Sequence, residues 1–330
     1  MQKRPLKMKT EIKGCPKKIY LASPRGFCAG VKNAIDTVEK LAKESSEPIY
    51  VRHEIVHNRY VIENLKRKGV IFVESLSSVP MGARIVFSAH GVSSSTETEA
   101  LKRGLKITDA TCPIVRRIHN LANSFSQKGF SIILIGHRVH PEIIGTSGRI
   151  KGKFYIVEEI RDIKKIPRCG SDKFVCLTQT TLNPQESKKI YKSLKKRLGS
   201  KLAPFKDNIC YATRERQAAV RKLAMKSDAI LVIGSSNSSN SLRLKEIAEK
   251  SGAKAYLIED EKSIKKSMFK GKFSIGITSG ASAPEQLVRA TISKLESMGW
   301  IMARSKNSNN KDGFNPEFCS DKNQSSRKKR

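Results

Sequence analysis

The chain has 330 residues, of which 38% are hydrophobic and 28% charged, so it is long enough for two or three folded domains. No apolar stretch approaches the roughly 20 residues of a membrane-spanning helix, and the basic N-terminus lacks the apolar segment of a secretory signal, so we expect a cytoplasmic protein without a membrane span. The net charge of +34 would suit nucleic-acid binding, but aromatic residues make up only 6% and no nucleic-acid-binding signature occurs, so we expect no specific nucleic-acid partner.

Both ends of the chain differ in composition from its middle. Residues 1–18 form a basic N-terminal extension. Residues 303–330 are rich in Ser, Asn and Lys without hydrophobic periodicity, which predicts a disordered basic tail. The folded body is therefore expected to run from 19 to 302.

The first element pair of that body encloses a cysteine. The apolar run 19–22 predicts a strand, and apolar residues recur at helical spacing from Val31 onward. Cys28, in the stretch ASPRGFCAGV, thus lies at a strand-to-helix turn, where free N–H groups and the helix dipole favour a thiolate. A thiolate there is either a nucleophile or a metal ligand.

Further along the chain, strand-like runs end in polar or histidine-containing clusters. These runs are Ile85–Ser88 before His90, Ile132–Ile135 before GHRVHPE, Ile230–Ile233 before GSSNSSNS, and Ile275–Thr278 before SGASAP. Continuous Val/Ile/Leu runs that alternate with helical segments indicate parallel sheets covered on both faces. We predict an α/β fold with its ligand site at the carboxyl ends of the strands.

Two further cysteines repeat the setting of the first. Cys112 in DATCPIV and Cys210 in DNICYATRERQ each precede a predicted helix. A polar residue follows each of the three cysteines after 28 or 29 residues, and a second polar strand end follows later. The polar residues that follow the cysteines after 28 or 29 positions are His57, His140 and Ser238. The later polar strand ends are His90, Thr180 and Ser282. We infer three similar α/β units (19–111, 112–209 and 210–302) whose strand ends converge on one centre.

Three converging thiolates suggest a metal centre. Structural zinc sites usually take four ligands, often in closely spaced cysteine pairs, and the chain has no such pair. A cubane [4Fe–4S] cluster held by three cysteines leaves one iron open for substrate and suits isolated ligands. The alternative is three cysteines that merely pack, as expected for Cys176 inside the strand FVCLT. The other cysteines (Cys15, Cys169 and Cys319) are predicted to be incidental.

Nine motifs in collinear order give the chain a specific resemblance. PRGFCAGV, VRHEIVHN, FSAHGVS, DATCP, HPE, TQTTL, ICYAT, NSSNS and GASAP, spread over residues 19–299, resemble the LytB family of 4-hydroxy-3-methylbut-2-enyl diphosphate reductases. The resemblance implies three units arranged pseudo-threefold around one [4Fe–4S] cluster with an open iron, and ferredoxin or flavodoxin as electron donor. It further implies reductive dehydroxylation of that allylic diphosphate to isopentenyl and dimethylallyl diphosphate, the last step of the methylerythritol phosphate (non-mevalonate) isoprenoid pathway.

The resemblance also assigns roles to residues. It implies that Cys28, Cys112 and Cys210 hold the cluster and that Glu142, helped by Thr180, is the proton donor. A diphosphate needs several hydrogen-bond donors, and the implied substrate contacts are His57, His90, His140, Thr180, Ser238, Ser239, Asn240 and Ser282. The remaining histidines (His53, His119 and His137) are interpreted as structural.

Three positions depart from the family pattern. Val139 replaces a glycine before the HPE histidine, Arg149 replaces a glutamine and Glu215 an asparagine. Because glycine permits φ values that valine resists, we expect Val139 to restrict the loop that carries His140. Two other functions stay open: a different [4Fe–4S]-dependent dehydratase or reductase of a small anionic substrate, and a basic nucleic-acid-binding protein.

Overall fold

The computed structural model describes residues 16–167 and 172–303. The predictions for Cys15, Cys169 and Cys319, and for most of the two terminal segments, therefore lie outside the described residues. The described strands are β1 (Lys18–Leu21), β2 (Ile49–Arg52), β3 (Val70–Val73), β4 (Arg84–Phe87), β5 (Lys106–Asp109), β6 (Ser131–Ile135), β7 (Phe154–Val157), β8 (Phe174–Thr178), β9 (Ala229–Ile233), β10 (Lys254–Ile258), β11 (Ser274–Ser279) and β12 (Ile301–Met302).

Helices connect these strands. The α-helices are α1 (Ala29–Glu44), α2 (Arg59–Arg67), α3 (Ser94–Lys102), α4 (Pro113–Gln127), α5 (Pro141–Ser147), α6 (Pro184–Leu198), α7 (Tyr211–Ala224), α8 (Ser239–Lys250) and α9 (Glu285–Glu296). Short 3₁₀ helices span Leu76–Ser78, Ile160–Lys165, Gly199–Lys201, Glu261–Ser263 and Lys266–Phe269. Proline stands at the start of α4, α5 and α6, where its missing N–H costs no helical hydrogen bond. Among the described residues, no helix is long and apolar enough to cross a bilayer.

The strands form three separate sheets in which every pairing is parallel. Their orders are β3-β2-β4-β5, β7-β6-β8 and β10-β9-β11-β1-β12. Each sheet thus contains three strands that are consecutive in the chain, and the first of them lies between the second and the third. Each sheet has an apolar cluster on either face, and all five residues of β6, β8 and β9 are buried. The prediction of an α/β fold with parallel sheets is confirmed.

One predicted boundary is wrong. The sequence places the strand at residue 19 in the first unit, but β1 pairs with β11 and β12 in the third sheet. Ile19 and Ala22 accordingly pack in the two apolar clusters of that sheet.

The reason for this pairing is a connection that occurs three times. The segment that leads to each cysteine pairs with the third strand of the preceding sheet. These segments are β5 on β4 before Cys112, Leu202 bridged to Phe174 of β8 before Cys210, and β1 on β11 before Cys28. The first cysteine has no earlier sheet in the chain, so its strand joins the last one and closes the cycle.

Candidate active site

Each of the three predicted cysteine ligands is the N-cap residue of a helix. Cys28, Cys112 and Cys210 precede α1, α4 and α7. Each cysteine N–H donates to the carbonyl of a residue just beyond the third strand of the preceding sheet. These bonds join Cys28 to Ala281 (3.1 Å), Cys112 to Ala89 (3.0 Å) and Cys210 to Thr180 (3.1 Å). The sheets therefore fix the backbone of every cysteine in the same way.

The three thiols lie close enough to influence one another. Burial raises the pKa of the Cys112 thiol to about 11, with smaller contributions from repulsion by Cys28 and Cys210, while the N–H groups of Ile114 and Val115 oppose the rise. The start of the helix thus favours the thiolate, as predicted, but burial outweighs it in the metal-free chain. The thiol of Cys112 also lies against α1, since a Cβ added to Gly30 would stand 2.5 Å from its sulfur.

The donor set suits a cluster better than a single ion. Within residues 16–167 and 172–303, no three His, Cys, Asp or Glu side chains are arranged to hold one metal ion. In a cubane cluster each thiolate binds a different iron atom, so the sulfurs stay apart. Three thiols that stand at three separate helix starts and influence one another electrostatically fit that requirement.

Three predicted substrate-binding histidines form one group of rings. His57 stacks on His90 with ring centres 4.3 Å apart, and His140 meets both rings edge-on at 5.6 and 5.7 Å. Burial, followed by repulsion from neighbouring histidines, lowers the pKa of His140 to about 3 and that of His90 well below its usual range. His90 and His140 are therefore neutral near pH 7.

Hydrogen bonds fix how two of these rings present their nitrogens. Nδ1 of His140 accepts the N–H of Glu142 at 3.1 Å, so in the neutral ring Nε2 carries the proton and is a donor. Nδ1 of His57 lies 2.9 Å from Oε2 of Glu54, and its Nε2 is buried without a partner among the described residues. The His57 bond in turn is the main cause of a lowered pKa of Glu54.

The predicted serine and asparagine contacts differ in how much hydrogen-bonding capacity they keep. Ser238 caps α8 by accepting from Ser241, which leaves its own O–H proton available. Ser239 bonds to Gln179 and Thr181, and the Ser282 hydroxyl donates to the His57 carbonyl at 2.9 Å. The Asn240 side-chain nitrogen is buried and unpartnered within the described chain, so it is the amide donor best prepared for a ligand.

The predicted proton donor is buried and bonded to its predicted helper. Glu142 is 2% exposed, and Thr180 donates its N–H to Oε1 and its hydroxyl to Oε2, each at 2.8 Å. Burial raises the pKa of Glu142 to about 7 although both Thr180 bonds lower it. Glu142 in turn contributes to the raised pKa of Cys210, which places the carboxyl near a predicted cysteine ligand. Such a group can hold and release a proton near neutral pH.

A cavity of about 430 Å³ adjoins these groups. The residues that line it are His57, His137, Val139, His140, Pro141, Asn237, Ser239, Leu242, Arg243 and Glu246. Val139 is 85% exposed, and the positive-φ positions among the described residues do not include it. The Val139 backbone therefore does not adopt the conformation that favours glycine.

The other two departures from the family pattern lie away from the thiols. Arg149 donates to Glu97 at 2.6 Å and to the Val92 carbonyl at 3.1 Å, which ties α5 to the first unit. Glu215 is half-buried on α7. Nothing in the structure connects Glu215 to the chemistry of the site.

Sequence reasoning missed three residues of the site. Glu54 orients His57, the Thr213 hydroxyl lies 3.1 Å from the Cys210 sulfur, and Arg216 is a buried cation close to Cys28 and Cys210. Glu54 stands three residues before His57, a spacing that could have suggested a partner. Nothing in the charge pattern distinguishes Arg216 from the many exposed basic residues.

The structure also places the histidines and the cysteine interpreted as structural. His53 contacts Glu74 and Arg52, and His119 is buried against Gly91 and Gly145. His137 lines the cavity, and its side chain is half-exposed. Cys176 packs in the apolar cluster beneath β8, as its position in the strand predicts.

Comparison with known proteins gives one consistent family. The LytB protein profile matches residues 19–296. The chain is 48% identical to the 4-hydroxy-3-methylbut-2-enyl diphosphate reductase of Pseudoalteromonas translucida over 85% of this chain and 92% of that protein. It is also 48% identical to the reductase of the same name from Desulfotalea psychrophila over 87% of this chain and 90% of that one.

Solved structures agree with the sequence relatives. The E-1-hydroxy-2-methyl-but-2-enyl-4-diphosphate reductase of Plasmodium falciparum superposes with a TM-score of 0.84 at 35% identity, covering 90% of this chain and 94% of that one. A second structure, of (E)-4-hydroxy-3-methyl-but-2-enyl diphosphate reductase, gives a TM-score of 0.62 at 31% identity and covers 85% and 99%. By family profile, by sequence identity and by fold, the chain belongs to the LytB family.

Proposed function

We propose that this protein is an iron–sulfur oxidoreductase that removes the hydroxyl group of 4-hydroxy-3-methylbut-2-enyl diphosphate and releases isopentenyl and dimethylallyl diphosphate. Sequence relatives are named as reductases of this diphosphate, and one structural relative is described as the terminal enzyme of the non-mevalonate pathway. The observation that carries the proposal is a buried carboxyl with a pKa of about 7 near a cysteine at a helix start, with two like cysteines close by.

The cysteines Cys28, Cys112 and Cys210 would hold one [4Fe–4S] cluster, around which the three units are arranged pseudo-threefold. The repeated hydrogen bond from each cysteine N–H to the preceding sheet supports that arrangement. When bound, such a cluster supplies electrons and, at an iron without a protein ligand, a Lewis acid. The electrons come from a ferredoxin or flavodoxin type of donor.

The histidine group and the start of α8 bind the diphosphate. Nε2 of His140 and the Asn240 amide are donors without a fixed partner, and the buried Nε2 of His57 has no partner among the described residues while its Nδ1 is bonded to Glu54. Ser238 adds a hydroxyl proton. Ser239, Ser282 and His90 complete the binding set, with Ser282 also holding the His57 backbone in place.

Glu142 donates the proton that turns the leaving hydroxyl into water. The overall change is balanced by two electrons and two protons: one proton leaves with the water, and the other is added to one of two carbons of the allyl unit. Thr180 keeps the carboxyl oriented through two hydrogen bonds. A pKa near 7 keeps a large fraction of Glu142 protonated under neutral conditions.

The decisive experiment is anaerobic purification, iron and sulfide analysis, and assay with the allylic diphosphate and a reduced donor. We expect about four irons per chain and both diphosphate products. Iron without turnover of this diphosphate would favour a different cluster-dependent dehydratase, and salt-sensitive RNA binding without iron would favour the nucleic-acid alternative.

Variants of the binding group locate the diphosphate. His57→Ala and Asn240→Ala should raise KM while leaving the iron content near normal, because neither residue is a cluster ligand. His137→Ala is the matched control, since this histidine is interpreted as structural and its side chain is 45% exposed. An unchanged KM and kcat in both test variants would place the substrate elsewhere.

A further inference from the structure

Arg216 is a buried cation whose bonds join two cysteine-bearing turns. The residue is 3% exposed and lies on α7. Its Nη2 donates to the carbonyl of Gly26 at 2.8 Å, and its Nη1 donates to the carbonyl of Ala212 at 3.1 Å. Gly26 stands two residues before Cys28, and Ala212 stands two residues after Cys210. The guanidinium therefore connects the turn of the first ligand to the helix start of the third.

The turn before Cys28 is held from both sides. Gly26 has φ of +74°, a conformation that favours glycine, and its N–H donates to the Ser279 hydroxyl at 2.7 Å. The Gly26 carbonyl accepts from Arg216, so the two polar groups of this peptide segment are bonded to β11 and α7. Loss of the arginine would release only the α7 side.

The charge of Arg216 has no carboxylate partner. Among residues 16–167 and 172–303 its hydrogen bonds go to backbone carbonyls, no ion pair with an acid is found, and Nε has no partner. An arginine side chain stays protonated, and burying its charge without an anion is costly. Arg216 lies close enough to Cys28 and Cys210 that negative charge on their sulfurs opposes the lowering of its pKa by burial. The site thus keeps a buried positive charge beside two predicted cluster ligands.

We infer that Arg216 is a positioning residue that sets the separation of Cys28 and Cys210 and makes the cluster easier to reduce. The inference rests on the proposed function, because it concerns the cluster that these thiols would hold. Reduction adds a negative charge, and a fixed positive charge nearby stabilises the reduced form more than the oxidised form. A neutral side chain at this position removes that preference.

The first test is a redox titration of the cluster, read by its visible absorption and by electron paramagnetic resonance. Arg216→Gln should lower the equilibrium constant for one-electron reduction about tenfold, a shift of about 59 mV to more negative potential. A unit charge within ~10 Å at an effective dielectric constant of ~20 produces an effect of that size. Arg216→Lys keeps the charge and should stay within about threefold of the unsubstituted protein.

The matched control is Arg221→Gln, which removes the same charge from the same helix five residues further along, ~7.5 Å away from Arg216 on the helix axis. Its equilibrium constant for one-electron reduction of the cluster should change by less than about threefold. An Arg216→Gln protein with full iron content and the potential of this control would overturn the charge part of the inference.

The second test uses the metal-free chain and keeps the inference falsifiable where Arg216→Gln loads no cluster. In protein with Cys15, Cys169 and Cys319 replaced by Ser, a short dithiol-reactive cross-linker is applied and the products are mapped by peptide mass. Arg216→Gln should lower the yield of the Cys28–Cys210 product several-fold and leave the Cys28–Cys112 product unchanged. Equal yields of the Cys28–Cys210 product in both proteins would overturn the positioning part.

The outcomes separate this inference from the proposed function. The proposed function is refuted if the unsubstituted protein binds no iron or does not turn over the diphosphate. The Arg216 inference is refuted if the unsubstituted protein is active and iron-loaded but Arg216→Gln changes neither the cluster potential nor the cross-linking yield.

Discussion

We expect the hydroxyl of Thr180 to set the pH at which Glu142, the proposed acid, can donate a proton, and Thr180→Val isolates that effect. Valine has nearly the same shape as threonine but cannot donate to Oε2 of Glu142, a bond of 2.8 Å. The backbone N–H of residue 180 still donates to Oε1. The substitution therefore removes one of two bonds to the carboxylate and leaves the other.

The size of the effect follows from the energy of that bond. A hydrogen bond to a charged group contributes about 1.5–3 kcal/mol, and one pKa unit corresponds to about 1.4 kcal/mol. Because the bond favours the ionised carboxylate, its loss should raise the pKa of Glu142 from about 7 by roughly 1–2 units. At pH 8 the protonated fraction should then rise from about a tenth to at least about half.

The assay is the pH dependence of kcat, with each protein compared with its own low-pH plateau. Turnover of the unsubstituted enzyme should fall as pH rises through about 7, and that of Thr180→Val should fall only at about 8–9. The plateau of the variant itself can be lower, since Thr180 is also a predicted substrate contact, so the readout is the midpoint and not the height. Glu142→Gln should show no such step and should turn over at least about 10²-fold more slowly.

A matched control is available in the third sheet. Thr278 is fully buried, and its hydroxyl has no partner among the described residues, so Thr278→Val removes a hydroxyl without removing a bond. Its pH profile should coincide with that of the unsubstituted enzyme. A Thr180→Val profile with an unshifted midpoint would refute the assignment of the titrating acid to Glu142.

Three further predictions concern stability and cluster loading. The pKa of Glu142 is raised from 4.5 to about 7 in the folded chain, so its contribution to stability is complete below about pH 4.5 and is lost as pH rises through about 7. In denaturant unfolding of the metal-free protein, Glu142→Gln should remove about 3 kcal/mol of this pH dependence of the free energy of unfolding. An unchanged pH dependence would contradict the conclusion that burial raises this pKa. Cys112→Ser should lose the cluster by iron analysis while Cys176→Ala keeps it, since only Cys112 caps a helix at the site; full iron in Cys112→Ser would remove it from the ligand set. Gly30→Ala should lower the iron content because the new Cβ would stand 2.5 Å from the Cys112 sulfur, although alanine usually stabilises a helix by about 1 kcal/mol over glycine. Asn33→Ala on the same helix is the control. Equal iron content in the two variants would show that the protein relieves this contact without losing the cluster.

The sequence predicted the elements that depend on local patterns. Each cysteine was expected at a helix start, and all three are N-cap residues. Polar residues after buried strands were expected to meet, and the rings of His57, His90 and His140 do so. Local pattern suffices in these cases because the carboxyl ends of parallel strands share an edge of their sheet.

The misplaced strand shows what local pattern leaves out. The residues of β1 indicate a strand, but four apolar residues carry no information about which sheet they join. That choice depends on the cyclic connection in which each cysteine segment pairs with the preceding sheet. The repeat of motifs along the chain predicted three units but not that the strand before the first cysteine joins the third sheet.

Arg216 escaped the sequence reasoning for a different reason. In a chain with 64 lysine and arginine residues, a single arginine is most simply interpreted as part of the solvated surface. Only tertiary structure reveals that this one is buried and bonded to a turn 190 positions away. Glu54 is similar, since its value to the site depends on the direction of the His57 ring.

The bonds that assemble the three units are largely the same bonds that shape the site. The Ser282 hydroxyl of the third unit holds the His57 carbonyl of the first, and each cysteine N–H is held by the sheet before it. Thr180 is the clearest case, because its carbonyl accepts from Cys210 while its N–H and hydroxyl donate to Glu142. A shift of this one residue would move the proposed cluster ligand Cys210 and the proposed acid Glu142 together, so energies measured at these two residues should not be additive. Thr180→Val is informative for this reason: it removes the hydroxyl alone and keeps both backbone bonds, which separates the tuning of the acid from the position of the ligand.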